Sequence, residues 1–140
     1  MTTALAFLNG SILAAIAVLH LFWMAGGRWG LDQALPTNEQ GERTLRPGPL
    51  ACGIVAAGLF CFAVYYYSIA WKVPLGLPFG AEKWGAWVLA GTFSLRAVGD
   101  FRYVGFFKKR KTTEFARMDT RWYAPLCAWL GVTSMWLAIN

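Results

Sequence analysis

The chain of 140 residues is the length of one domain, but 57% of it is apolar, its mean hydropathy is +0.43 and only 14% is charged, against about 25% in globular proteins. That balance excludes an ordinary water-soluble domain, and blocks such as Leu50 to Trp71, which holds no charged side chain, exceed the ~20 residues that cross a bilayer. The net charge of +6, from 13 basic and seven acidic residues, is read as membrane topology and not as a nucleic-acid surface.

The first predicted span runs from Leu5 to Met24. No basic residue precedes it, and it is longer than the ~7–15 apolar residues of a signal peptide, so it is read as a retained helix. His20, the chain's single histidine, shares a face with Trp23 and Gly27 at its end. The connection from Ala25 to Pro49 contains Gly26, Gly27, Gly30, Pro36, Pro47 and Pro49, which discourage a continuous helix. It is a hydrated connector anchored by Trp29, or a lid. The second span, Leu50 to Trp71, offers Gly53, Ala56, Ala57 and Gly58 for close helix contact. Tyr65, Tyr66, Tyr67 and Trp71 crowd its far end as an aromatic belt, or as the roof of an apolar cavity. Val73 to Gly80, with Pro74, Gly76, Pro78 and Gly80, is a tight surface turn.

The third predicted span, Trp84 to about Phe107, meets Arg96, Asp100 and Arg102. Arg96 and Asp100 are four residues apart, on one helical face and within pairing distance, and Tyr103 continues that face. Gly99 and Gly105 would admit a neighbouring helix, and Arg102 would snorkel to headgroups. The connection Lys108 to Arg121 is strongly basic. The fourth span, Tyr123 to Ile139, is short, begins near Pro125, and carries a bundle-facing stripe of Tyr123, Cys127, Leu130 and Ser134. In the preceding connection Asp119 is placed to pair with Arg28, Arg102 or Arg117.

Basic residues in short loops stay in the cytosol. Arg28, Arg43 and Arg46 in one connection and Lys108, Lys109, Arg110, Lys111, Arg117 and Arg121 in another lie on the same side, opposite Lys72 and Lys83. The expected architecture is thus an all-α, transmembrane four-helix bundle forming a single integral membrane domain over 1–140, with both termini on the non-cytosolic side. Lys108 to Lys111 would also attract anionic lipid.

Ionisable groups at hydrocarbon depth are costly and face the bundle interior. At about 1.5 Å per residue His20 lies about 22 Å into its span, and Arg96 and Asp100 about 18 and 24 Å into theirs. These residues share the inner leaflet, so His20, Trp23, Arg28, Arg96, Asp100 and Tyr103 form the expected ligand-binding set. His20 and Asp100 are the candidate acid and base pair, and a self-neutralising Arg96 and Asp100 pair is the structural alternative. Cys52, Cys61 and Cys127 sit in apolar runs without a CxxC pair. No HxxxH, ExxH, Walker, GxSxG, GxGxxG or HExxH pattern occurs, so no metal and no cofactor is expected.

Three stretches, His20-Leu-Phe-Trp23 through Gly26-Gly27-Arg28-Trp29-Gly30, Arg96 through Gly99-Asp100-Phe-Arg102-Tyr103-Val-Gly105 to Lys108, and Phe115 through Asp119-Thr120-Arg121 to Cys127, resemble a bacterial family of small membrane proteins catalogued as a domain of unknown function. The resemblance implies a compact four-helix membrane protein and carries no activity. From the residues, the leading expectation is a polar inner-leaflet pocket for a small amphipathic or anionic-headed, lipid-like molecule. The alternatives are an isomerase-like membrane enzyme and a structural or assembly protein without a ligand. Membrane lipids are the expected partners, a homo-oligomer is an open option, and nucleic acid is not a partner.

Overall fold

The computed structural model describes residues 1–38 and 47–140, and Arg43, Arg46 and the Lys83 side chain, counted above for orientation, lie outside what it describes. The described chain is helical: α1 (Thr2–Met24), α2 (Leu31–Ala34), α3 (Pro49–Trp71), α4 (Glu82–Val98), α5 (Glu114–Met118) and α6 (Ala124–Ile139). A π-helical turn, Asp119–Tyr123, joins α5 to α6 without a break. Among the described residues three helices are long and apolar enough to cross a membrane: α1, α3 and the 26-residue run Glu114–Ile139. This is the architecture of a membrane protein.

The residues form two compact units. The first comprises Met1–Gly27, Pro47–Leu89 and Thr133–Asn140, and the second residues 28–38 with Ala90–Val132. In the first, α1 turns small residues toward α3. Ala6, Asn9, Gly10, Leu13 and Ala17 are buried on α1, and Cys52, Ala56, Ala63, Tyr66 and Ala70 on α3. Their spacing places them on one face of each helix, and Gly10 and the alanines among them let the backbones approach, as helix packing in lipid favours. A Cβ on Gly10 would stand 3.2 Å from Tyr66 Cβ and 3.3 Å from the Ala63 carbonyl oxygen. Of the small residues singled out on this helix, Ala56 is buried at the contact while Ala57 and Gly58 face outward.

Polar groups in this apolar interior are paired, because hydrocarbon offers them no substitute for water. Asn9 Nδ2 donates to Thr133 Oγ1 at 2.8 Å, and the Tyr66 and Ser134 hydroxyls share a 2.5 Å bond. Asn9, Tyr66 and Ser134 have no exposed surface. Of the stripe expected on the fourth span, Leu130 and Ser134 are buried and Tyr123 and Cys127 half-buried. The large apolar side chains outside these contacts, such as Val18, Ile54, Val64 and Val132, are exposed, as lipid-facing positions are.

Two span boundaries differ from expectation. The third helix ends at Val98 and not near Phe107, because Gly99 takes a left-handed conformation (φ +85°), the usual helix stop. The last begins at Glu114, nine residues before Tyr123, because Thr113 caps it by accepting the Ala116 N–H at 3.1 Å. Pro125 therefore lies well inside a helix, where it removes one backbone donor. The wider π turn immediately before it, closed by the Ala124 N–H on the Asp119 carbonyl, is where the helix accommodates that loss.

Candidate functional site

The loop after α4 is built by two glycines that touch. Gly99 and Gly105 both have positive φ (+85° and +86°). A Cβ on Gly99 would fall 1.8 Å from the Val104 carbonyl oxygen, and one on Gly105 2.4 Å from that of Val98. No side chain fits at either position. Phe106 N–H closes the loop on the Ala97 carbonyl at 2.8 Å. At its centre one oxygen of Asp100 accepts the backbone N–H groups of Arg102, Tyr103 and Val104 at 2.9, 2.7 and 2.9 Å. Partial burial alone would raise the Asp100 carboxyl, but the N–H groups of Val104, Tyr103 and Arg102 outweigh it and hold the group below the usual carboxylate value.

The expected Arg96 and Asp100 pair is therefore absent: Asp100 has left the helix and serves the loop backbone. Gly99 and Gly105 make the turn instead of admitting a neighbouring helix. Arg96 bonds Asp119, Nη2 to Oδ1 at 3.0 Å. The second Asp119 oxygen accepts the Gly105 N–H at 2.8 Å and Lys108 Nζ at 2.9 Å. Lys108 also donates to the Gly105 carbonyl at 3.0 Å and to Thr120 Oγ1 at 2.7 Å.

Asp119 is wholly buried, the Lys108 side chain is 1% exposed and that of Arg96 35% exposed. Lys108 thus does not belong to the surface run Lys108 to Lys111, and the partners of Asp119 are Arg96 and Lys108 rather than Arg28, Arg102 or Arg117. Two cations share one carboxylate, a local surplus of one positive charge. Among the described residues, Arg96 Nη1 is the buried side-chain polar atom that has no hydrogen-bond partner. Ala97, next to it, and Phe93, one helical turn before it, are buried.

The other expected site residues are distributed differently. His20 Nδ1 donates to the Ile16 carbonyl of its own helix at 2.9 Å, and its ring meets Trp23 edge-on at 4.8 Å. The pair belongs to the first unit; Arg28, Arg96, Asp100 and Tyr103 belong to the second. Arg28 is exposed. Tyr103 carries the Arg102 guanidinium 5.3 Å and that of Arg110 5.5 Å from its ring centre. Among the described residues no group of three metal-ligating side chains occurs.

In the first unit Tyr65, Ile69, Trp84, Ala86, Trp87, Leu137 and Ala138 line an open pocket of about 450 Å³. The Tyr65 hydroxyl accepts the Ala86 N–H at 2.9 Å there. This apolar, aromatic recess involves Tyr65 from the predicted belt, whereas Tyr67 stacks on Trp71 at 5.1 Å.

The family model described as protein of unknown function (DUF3995) matches residues 13–134. The chain belongs to this family. The match covers α1 from Leu13 onward, the glycine loop and the Arg96–Asp119–Lys108 cluster, so the family's extent includes the whole site. No curated protein and no solved structure matches the chain.

Proposed function

We propose that this membrane protein binds the anionic group of a small lipid-like molecule at Arg96, beside the Asp119 and Lys108 cluster. The observation that carries the reading is the surplus cation whose Nη1 is buried without an acceptor. A buried donor left unpaired costs about 1–3 kcal/mol, more when charged, and a carboxylate or phosphate oxygen would meet it and neutralise the surplus. The Arg96 side chain retains enough exposure for a ligand to reach it, whereas Lys108 has its donors engaged within the cluster.

On this reading α4 crosses together with the three longer helices, giving four passes. Its 17 residues span about 25 Å at 1.5 Å per residue, and a bilayer can thin to accommodate a short helix. The basic connections would then face the cytosol of a bacterial inner membrane and both termini the opposite side.

The test is native mass spectrometry of the gently purified protein with identification of what co-purifies. An anionic amphiphile at stoichiometric level, lost in Arg96→Gln but retained in Asp100→Asn, is the expected result. A clean apo mass with a fixed subunit number would favour the second reading, a structural protein in which the cluster serves as a staple. The complete set of partners around Asp119 favours that reading.

A further inference from the structure

Residues 99–122 present a surface that the buried cluster does not use. Phe101, Phe106, Phe107 and Trp122 are 58, 46, 64 and 56% exposed. Arg102, Lys109, Lys111, Arg117 and Arg121 are exposed in the same segment, against the exposed acids Asp100 and Glu114, and one oxygen of the Asp100 carboxylate accepts three backbone N–H groups. The two arms of the loop run side by side. Lys109 N–H bonds the Phe101 carbonyl at 3.3 Å and Arg110 N–H that of Arg102 at 3.2 Å. The pairing sets the Phe101 and Phe107 rings 6.3 Å apart, next to the cations, and Arg121 lies 5.5 Å from the Trp122 ring centre.

Large rings exposed beside cations are ill suited to bulk water but match the headgroup layer, where aromatic rings partition and basic side chains meet lipid phosphates. The segment also runs without interruption into the Glu114–Ile139 helix, whose Trp129, Val132, Met135 and Ile139 are exposed. The arrangement has the charge and the apolar edge of an interfacial anchor.

We infer that this loop is seated on an anionic lipid leaflet, with Phe101 and Phe107 at the acyl boundary and Arg102, Lys109 and Lys111 on lipid phosphates. The inference does not depend on a ligand at Arg96. The test places the full chain in nanodiscs of phosphatidylcholine, alone or mixed with phosphatidylglycerol, and follows reductive methylation of Lys109 and Lys111 by peptide mass spectrometry. Labelling several-fold slower in the anionic discs, restored by high salt, is the expected result. Phe107→Ser should raise the labelling rate in anionic discs several-fold, because the ring holds the loop down. Equal rates in both compositions overturn the inference and leave the surface to a water-soluble partner. Slowing that Phe107→Ser does not relieve overturns the seating of the rings, since diffuse charge attraction would then explain it.

Discussion

Asp119 has no exposed surface and accepts from Arg96, Lys108 and the Gly105 N–H, so neutralising it leaves Lys108 buried without its counter-charge. Removing one partner of a buried pair costs about 3–5 kcal/mol. Asp119→Asn should lower the detergent melting temperature sharply, and Lys108→Met with Asp119→Asn should recover part of the loss. Asp100 is the milder case. It is exposed, so loss of its three accepted bonds in Asp100→Ala should cost only about 1 kcal/mol. Its pKa is lowered by folding, so the stability it contributes is complete above the unfolded value of about 3.9 and is lost as pH falls through the folded value. A melting series into acid should show wild type converging on Asp100→Ala only below about pH 4. At this scale the sequence revealed which side chains are ionisable at depth but not who pairs with whom. Arg96 and Asp100 looked like partners because helical periodicity was carried past Val98, where α4 ends, to Asp100, and Lys108 looked solvated because it begins a basic run. With seven acids against 13 bases, an acid such as Asp119, three and four residues after the apolar Ala116 and Phe115 and so on their helical face, was the available signal of a buried ion cluster.

Among the elements, the α4 terminus and the α1–α3 contact each rest on residues without bulk. Gly99→Ala places a Cβ against the Val104 carbonyl in a left-handed conformation. It should destabilise by about 2–4 kcal/mol, more than Asp100→Ala, in the same melting assay. On α1, Gly10→Leu would push α1 from α3 and should do comparable harm, while Gly58→Leu, where a Cβ would meet nothing within 4 Å, should be tolerated. Tyr66→Phe removes the bond to Ser134 and should cost about 1 kcal/mol. Hydropathy located α1 and α3 to within three residues, since their apolar runs are long and uninterrupted. It mislocated the third and fourth spans because helix ends there are set by the Gly99 conformation and the Thr113 cap, local features with little hydropathic signature.

For the whole molecule, composition and apolar run length alone determined that this is a helical membrane protein and where its two cleanest spans lie, because the transfer of some 20 apolar residues to a bilayer outweighs every local preference. Family membership covers residues 13–134 of it. The tertiary structure alone decided which polar groups meet: Asn9 with Thr133, Tyr66 with Ser134, and Arg96 and Lys108 on Asp119. Those pairings join residues 11 to 124 positions apart, and no periodicity along one helix encodes them. They follow from the rule that polar groups removed from water must find one another, and only the folded chain fixes which of them are within reach.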